Sequence, residues 1–325
     1  MSSSNPRSRL RDINNTGFGG NSNVEGGRLM NADGSTNLKK RGIPVWERTS
    51  IYHTLLRMPR HSFFLSIFIF YTSVNFCFAF IYMLTGIENL LGVVDAHTFA
   101  DRFMEAFFFS SQTLTTVGYG RVSPSGMVTN CIASLESLMG ILTFAVVTGL
   151  IYARFSRPKA YLLFSNNFLI APYKGAKALM IRLCTYKNNN LTDVEAQFTL
   201  AIHENDNGKS ITRFYPLGLE ISKVSSLALS WTIVHSITED SPVYNFTEAQ
   251  ISESRMELIV SIKAFDDHFS NIVQQRTSYT YRQAVYGAKF TPMFERAPDG
   301  EYTLLELDKI SDYEAVVLPQ VVGLV

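Results

Sequence analysis

Two long apolar runs dominate what this 325-residue chain can fold into. The first, Ser62 to Leu84, holds no charged residue and meets the length of about 20 mostly apolar residues that a helix needs to cross a bilayer core. A buried helix of a soluble protein is the other reading, but such helices are rarely so long and so uniformly apolar. Tyr82, near its end, suits the outer interface. The second run, Met127 to Phe155, is interrupted early by Glu136, stays uncharged from Ser137 to Tyr152, and then meets Arg154. An ionisable group inside a span is costly unless it faces protein or water. Glu136 therefore reads as buried behind the loop that joins the spans, with solvent exposure at the helix start as the alternative.

That loop carries Thr116-Val117-Gly118-Tyr119-Gly120. A potassium ion entering a narrow pore must exchange its water shell for other oxygens, and rings of backbone carbonyls from four copies of such a segment can supply them. Successive carbonyls face one way only if some residues take backbone angles that a Cβ disfavours, which Gly118 and Gly120 allow. K+ would be held at Thr116, Val117, Gly118 and Tyr119, with the Thr116 hydroxyl at the inner mouth and the Val117 and Tyr119 side chains bracing from behind. Alone, such a pentapeptide can arise by chance in a soluble loop, so its context decides.

Charge supplies part of that context. Lys39, Lys40, Arg41, Arg48, Arg57 and Arg60 precede the first span, and Arg154, Arg157 and Lys159 follow the second. Between the spans, Glu88, Asp95, Asp101 and Glu105 face only Arg102 and Arg121. The positive-inside bias then puts both termini in the cytoplasm and the filter loop outside. Phe99 to Gln112 reads as a helix too short to span, which is permitted at membrane depth when buried in protein. The negative end of its dipole would favour a cation just before the filter.

The flanking segments differ from this middle. Residues 1–42, rich in Ser, Asn and Gly, read as disordered. In 43–61, Trp46, Ile51, Tyr52, Leu55 and Leu56 recur at helical spacing beside basic residues, which suggests an interfacial helix or else a basic juxtamembrane linker. The spans are expected at 62–85 and 126–156, with the pore helix and filter at 98–125. In 160–325, apolar runs such as Ala178 to Leu183, Val194 to Ile202 and Met256 to Ile262 alternate with polar turn clusters, which reads as an all-β sandwich with its own core. Cys77, Cys131 and Cys184 lack metal-ligand spacing. The six histidines are scattered, and His235 reads as structural. Asp266-Asp267-His268 resembles a metal or acid–base cluster but reads rather as a solvated turn or a charged patch facing an ion route. No acids, bases and nucleophiles cluster as an enzyme would need. Neither nucleic acid nor a covalent cofactor is expected.

The chain resembles the inward-rectifier potassium channels, especially their prokaryotic branch, from about Trp46 to Glu306. The resemblance rests on the filter, on Leu150-Ile151-Tyr152-Ala153-Arg154-Phe155-Ser156-Arg157-Pro158, on Leu162-Leu163-Phe164-Ser165-Asn166-Asn167, and on Trp231 to Tyr244. It implies a membrane α-helical pore, of two transmembrane helices plus a re-entrant pore helix and filter, joined to an immunoglobulin-like cytoplasmic sandwich. It also implies a homotetramer in a bacterial inner membrane. The family's gate maps to Phe144 and Tyr152, which close a pore by dewetting or else pack against neighbouring helices. Gly140 and Gly149 either let the inner helix bend or allow close packing. Anionic phospholipids or phosphoinositides would meet Arg57, Arg60, Arg154, Arg157 and Lys159, unless these residues serve only the positive-inside bias. Strong rectifiers carry an acid where Ile141 stands, so block by Mg2+ or polyamines should be weak there. Asp267 maps to an acid of the cytoplasmic pore and could partly substitute, and Ba2+ remains an expected blocker. Gln112 and Val122 occupy the places of an acid–arginine pair behind the filter, and no cysteine lies between Thr85 and Gly126. A non-selective cation channel and a membrane-anchored β-sandwich receptor are the rival expectations.

Overall fold

The computed structural model describes residues 28–44, 50–93, 97–206 and 209–319. The chain divides into a unit of residues 41–157 and a second unit of residues 1–40 with 158–325.

In the first unit, α1 (Ile51–Arg57) starts at Ser50, whose hydroxyl accepts from the His53 amide. It ends at Met58, which is extended with ψ 154°. The cause is Pro59, whose ring pushes the preceding residue out of the helical region. The helix is thus seven residues long, shorter than the interfacial helix expected over 43–61. Trp46 and Arg48 lie outside the described residues.

Pro59 then serves as the N-cap of α2 (Arg60–Thr85). Only Phe63, Asn75, Ala79 and Tyr82 of its 26 residues are buried. Phe64, Phe68, Ile69, Phe76 and Phe80 are uncovered, so the helix is apolar around most of its girth and needs an apolar solvent. α3 (Phe99–Leu114) opens with a reciprocal capping box. The Asp101 amide donates to the Thr98 hydroxyl at 3.2 Å, and the Thr98 amide donates to the Asp101 carboxylate at 3.1 Å. α4 (Met127–Phe155) runs 29 residues without a break. Ala79 and Tyr82 of α2, Ala106 and Phe109 of α3 and Ala133 of α4 share one core with Leu90 and Val122.

The second unit is a β-sandwich. One five-stranded sheet is built on Ala176–Thr185, which pairs with Leu162–Phe164 and Phe168–Tyr173 along one edge and with Ser230–Ile237 along the other; Ala284–Tyr286 joins Phe168–Tyr173 in parallel. The other sheet runs Asn271–Thr280, Glu257–Asp266, Leu191–Asp206, Lys209–Leu217, with Lys223–Ser226 also on Leu191–Asp206. Ser230–Ile237 alternates buried and half-buried residues, as a strand with one face on a core must. Phe168, Leu179, Ile181 and Leu183 meet Phe198, Leu200, Val260 and Ile262 in the shared core. A short helix, α5 (Glu248–Glu253), is capped by Thr247 and Gln250.

Two side chains stabilise this unit in ways the strand pattern hides. Arg182 is buried and donates to the carbonyls of Thr291 (2.5 Å), Lys309 (2.6 Å) and Ile310 (2.9 Å), so it holds the carboxy-terminal turns against the sheet. Desolvation pulls its pKa below the usual guanidinium value. His235 sits between the Gly218 carbonyl, 2.6 Å from Nδ1, and the Ser241 hydroxyl, 2.9 Å from Nε2. A proton on Nδ1 leaves Nε2 to accept from Ser241, which makes the ring a neutral structural group. Burial lowers its pKa accordingly. Burial also pushes the Cys184 thiol up to about 11.

The amino-terminal stretch departs from its composition. Residues 1–27 lie outside the described residues, but the segment from Arg28 to Asn37 folds back on itself and docks on the second sheet. Leu29 and Met30 are buried against Ala201, Phe214 and Ile259. The Glu257 carboxylate accepts the amides of Leu29 (2.6 Å) and Met30 (3.0 Å), and the Ser278 hydroxyl donates to the Met30 carbonyl at 2.5 Å. Gly34 turns at φ +78°, where a Cβ would meet the Arg276 carbonyl oxygen at 2.4 Å. A polar segment with two apolar residues is thus ordered by partners far along the chain.

Candidate functional site

The loop after α3 has the backbone that a carbonyl-lined filter requires. Thr116, Gly118 and Gly120 take positive φ values of 63°, 53° and 83°, while Val117 and Tyr119 between them do not. Alternating handedness turns successive carbonyls toward one side, whereas a regular strand points them to opposite sides. Gly118 and Gly120 adopt this at no steric cost, and Thr116 does so against it. The loop is tied at its start. Val117 and Gly118 both donate to the Gln112 carbonyl, at 2.9 and 3.3 Å, and Thr116 donates to Thr113 at 3.0 Å. The Gln112 position therefore works through its main chain.

Behind the loop lies a polar network drawn from three helices. Glu136 of α4 is wholly buried. One carboxylate oxygen accepts from the Tyr82 hydroxyl at 2.6 Å, and the other faces the Ser110 hydroxyl. Ser110 also lies 3.0 Å from Asn75 Oδ1, and Asn75 donates back to the Tyr71 carbonyl at 2.8 Å. The adjacent Tyr71 and Ser111 hydroxyls are 2.5 Å apart. Tyr82, expected at an interface, is buried because Glu136 needs a donor there. Val122 is buried too, and the ion pair of this region is instead Arg121 with Glu105, 2.5 Å apart, where Arg121 also reaches the Gly92 carbonyl at 3.3 Å.

Gly140 resolves one of the open alternatives. A Cβ there would sit 1.9 Å from the Leu114 carbonyl oxygen, so this glycine lets α4 touch the carboxyl end of α3. Among the described residues nothing lies within 4 Å of a Cβ at Gly149.

Ile141, Phe144, Thr148 and Tyr152 follow one another at steps of three, four and four, which places them on one stripe of α4. All four are exposed in the single chain. Arg57, Arg60 and Arg157 are exposed as well. Arg154 is not a free charge. Its guanidinium donates to the carbonyls of Leu55 (2.5 Å) and Met58 (2.8 Å) and lies 4.4 Å from the centre of the Phe63 ring. It ties the end of α4 to the turn between α1 and α2. In the other unit, Lys159 is exposed, and the Asp267 carboxylate is held by Asn190 (2.6 Å) and Thr192 (3.0 Å). Asp266 accepts the amides of His268 and Phe269, so this acidic stretch is a turn. Among the described residues no group of His, Cys, Asp and Glu could hold a metal ion.

Comparison with known proteins gives this architecture a family. Residues 62–157 match the family described as ion channel, and residues 162–322 match the inward rectifier potassium channel C-terminal domain. The inward rectifier potassium channel Kirbac3.1 of Paramagnetospirillum magnetotacticum is 34% identical over 282 residues, which cover 85% of this chain and 92% of that one. G protein-activated inward rectifier potassium channel 2 of Pongo abelii is 28% identical over 65% of this chain and 52% of its own length. Channel 4 of that name from Homo sapiens is 27% identical over 64% and 49%. The chain thus spans about half the length of these mammalian relatives. Two apolar helices, the Thr116–Gly120 loop between them and a β-sandwich follow one another in the order of these two matches. The chain belongs to the inward-rectifier potassium channel family, on its bacterial branch, and it is a membrane channel for potassium rather than an enzyme.

Proposed function

We propose that four copies of this chain surround one axis, and that the carbonyls of Thr116, Val117, Gly118 and Tyr119 replace the hydration shell of K+ along it. The alternating φ values at Thr116, Gly118 and Gly120 carry this reading, because they turn consecutive carbonyls to one side. Transport is passive, with ions repelling one another from site to site. The stripe of Ile141, Phe144, Thr148 and Tyr152 lines the inner pore, and Phe144 and Tyr152 narrow it enough to exclude water when closed. An apolar Ile141 gives Mg2+ and polyamines little to hold, so rectification is weak. Asp267 is a candidate acid along the ion route in the β unit.

In a bacterial inner membrane, with both termini in the cytoplasm, exposed Arg57, Arg60 and Arg157 meet anionic phospholipid headgroups, each worth about 1 kcal/mol near such a surface. Lys159 keeps the same expectation from its sequence position. Arg154 is committed to the Leu55 and Met58 carbonyls, so we assign it to holding α1.

Reconstitution tests the filter. Liposomes carrying the purified channel should take up K+ in preference to Na+, with Ba2+ blocking the flux. Gly118→Ala should abolish uptake while the protein still migrates as a tetramer. Selective uptake through Gly118→Ala tetramers would refute the assignment.

A further inference from the structure

A cavity of about 500 Å3 opens on the β unit where the docked amino-terminal arm meets the second sheet. Guanidinium groups from three separate parts of the chain line it: Arg28 from the arm, Arg255 from the turn after α5, and Arg282 from the turn after Asn271–Thr280. Glu257 is the one acid among the lining residues. Each of its two oxygens already accepts one amide, from Leu29 and Met30. His203 also lines the cavity, and desolvation lowers its pKa, so it adds no fixed positive charge. Three positive groups therefore face one negative group.

The guanidiniums are only partly satisfied. Arg28 spends Nε and one terminal nitrogen on Ser278, and Arg282 spends Nε on the Tyr281 hydroxyl at 3.2 Å. Arg255 is exposed and makes no hydrogen bond or ion pair with the described residues. Its backbone is left-handed, with φ 45°. The forked guanidinium matches phosphoryl oxygens better than any other side chain does. The cavity volume is within the range of small-molecule sites, roughly 300–1,000 Å3.

We propose that this cavity binds a multiply charged phosphate group, which bridges the amino-terminal arm to the sheet through Arg28, Arg255 and Arg282. Such a ligand binds only the docked arm, because Arg28 belongs to the arm, and so it shifts the arm toward its docked position. The phosphate could come from a soluble metabolite or from a lipid headgroup, and the two share the chemistry recognised here.

Isothermal titration of the full-length channel in detergent tests the site with two probes, sodium pyrophosphate and a water-soluble short-chain inositol phospholipid. Saturable binding is expected, weakening with added salt. Arg255→Gln and Arg282→Gln should each reduce affinity about tenfold. Both residues are exposed, so the melting temperature without ligand should stay at the wild-type value. Bound ligand should also slow proteolysis within residues 28–44. Pyrophosphate binding that both substitutions weaken assigns a soluble source, and lipid binding alone, weakened in the same way, assigns a headgroup. No saturable binding of either probe, or binding indifferent to both substitutions, overturns the proposal.

Discussion

Adding a single methyl group at Gly140 should damage the channel without touching the proposed filter residues themselves. An alanine Cβ there would lie 1.9 Å from the Leu114 carbonyl oxygen and 2.9 Å from its carbon. Ordinary contact needs more than 3 Å, so α3 and α4 would have to separate locally by more than 1 Å. The obstacle is backbone, which cannot swing aside as a side chain can. Overpacking of this kind costs about 1–3 kcal/mol. Leu114 is the last residue of α3 and stands two residues before Thr116, so the displacement passes straight into the proposed filter. Gly140→Ala should therefore lower the melting temperature of the purified channel and cut K+ uptake into liposomes, with a fall in preference over Na+. Gly149→Ala is the matched control. It meets nothing within 4 Å and replaces a glycine inside a helix, a gain of about 1 kcal/mol in helix propensity. Wild-type melting and wild-type selectivity in Gly140→Ala would refute the packing argument. A loss of flux in Gly149→Ala at unchanged stability would instead make Gly149 the bending point of α4.

Other perturbations test other parts of the molecule. Glu136→Gln keeps the shape but turns one of the two oxygens facing Tyr82 and Ser110 into an amide donor, so one of those hydroxyls loses its buried acceptor; an unsatisfied buried group costs about 1–3 kcal/mol, so a lower melting temperature and a reduced K+/Na+ permeability ratio are expected. His235 is neutral in the fold with its pKa below the unfolded value near 6.5, so the unfolded chain binds more protons as pH falls from 7.5 to 5.5. Stability of the full chain should decline over that window, His203 contributing in the same direction, and His235→Gln should flatten the slope. Arg154→Gln removes the charged donor to Leu55 and Met58, and cross-linking of engineered cysteines in α1 and α4 should become inefficient.

Some features could be read directly from the chain because their causes are local. A run such as Ser62 to Leu84 needs no partner to declare its solvent, and the Thr116 to Gly120 pentapeptide carries its own backbone requirement. Strand periodicity within Ser230–Ile237 is likewise a property of neighbours in sequence. The hidden features all depend on residues far apart. The arm at Arg28 to Asn37 is anchored by Glu257 and Ser278, more than 220 positions away, so its Ser- and Asn-rich composition suggests disorder. Glu136 could be placed as buried from the cost of a charge in a span, but its donors Tyr82 and Ser110 come from two other helices. Arg154 obeys the positive-inside bias whether it meets lipid or carbonyls, and only geometry separates the two. Gly140 illustrates the same limit, since bending and packing demand the same residue.

The proposed four-copy filter has a thermodynamic consequence. Val117 and Tyr119 are 53% and 79% exposed in the single chain, although both are expected to brace the loop from behind. Thr116 holds a left-handed backbone, a conformation that costs of order 1–3 kcal/mol and persists only where surroundings enforce it. Within one chain, the amides of Thr116, Val117 and Gly118 make the only described backbone bonds of the five residues. In the proposed tetramer, neighbouring copies and K+ supply the remaining constraint, the ions keeping inward-facing carbonyl dipoles from repelling one another. A ligand that binds only the assembled state stabilises it by RT ln(1 + [L]/Kd), about 2.7 kcal/mol at a hundred times Kd. Tetramers should therefore withstand heating or detergent better in K+ than in equimolar Na+, and the difference should grow with the logarithm of K+ concentration above saturation. Gly118→Ala should erase that dependence while leaving the response to ionic strength intact. If the tetramer melts at the same temperature in both salts, the carbonyls near Tyr119 are not binding a dehydrated ion, and the alternating backbone needs another cause.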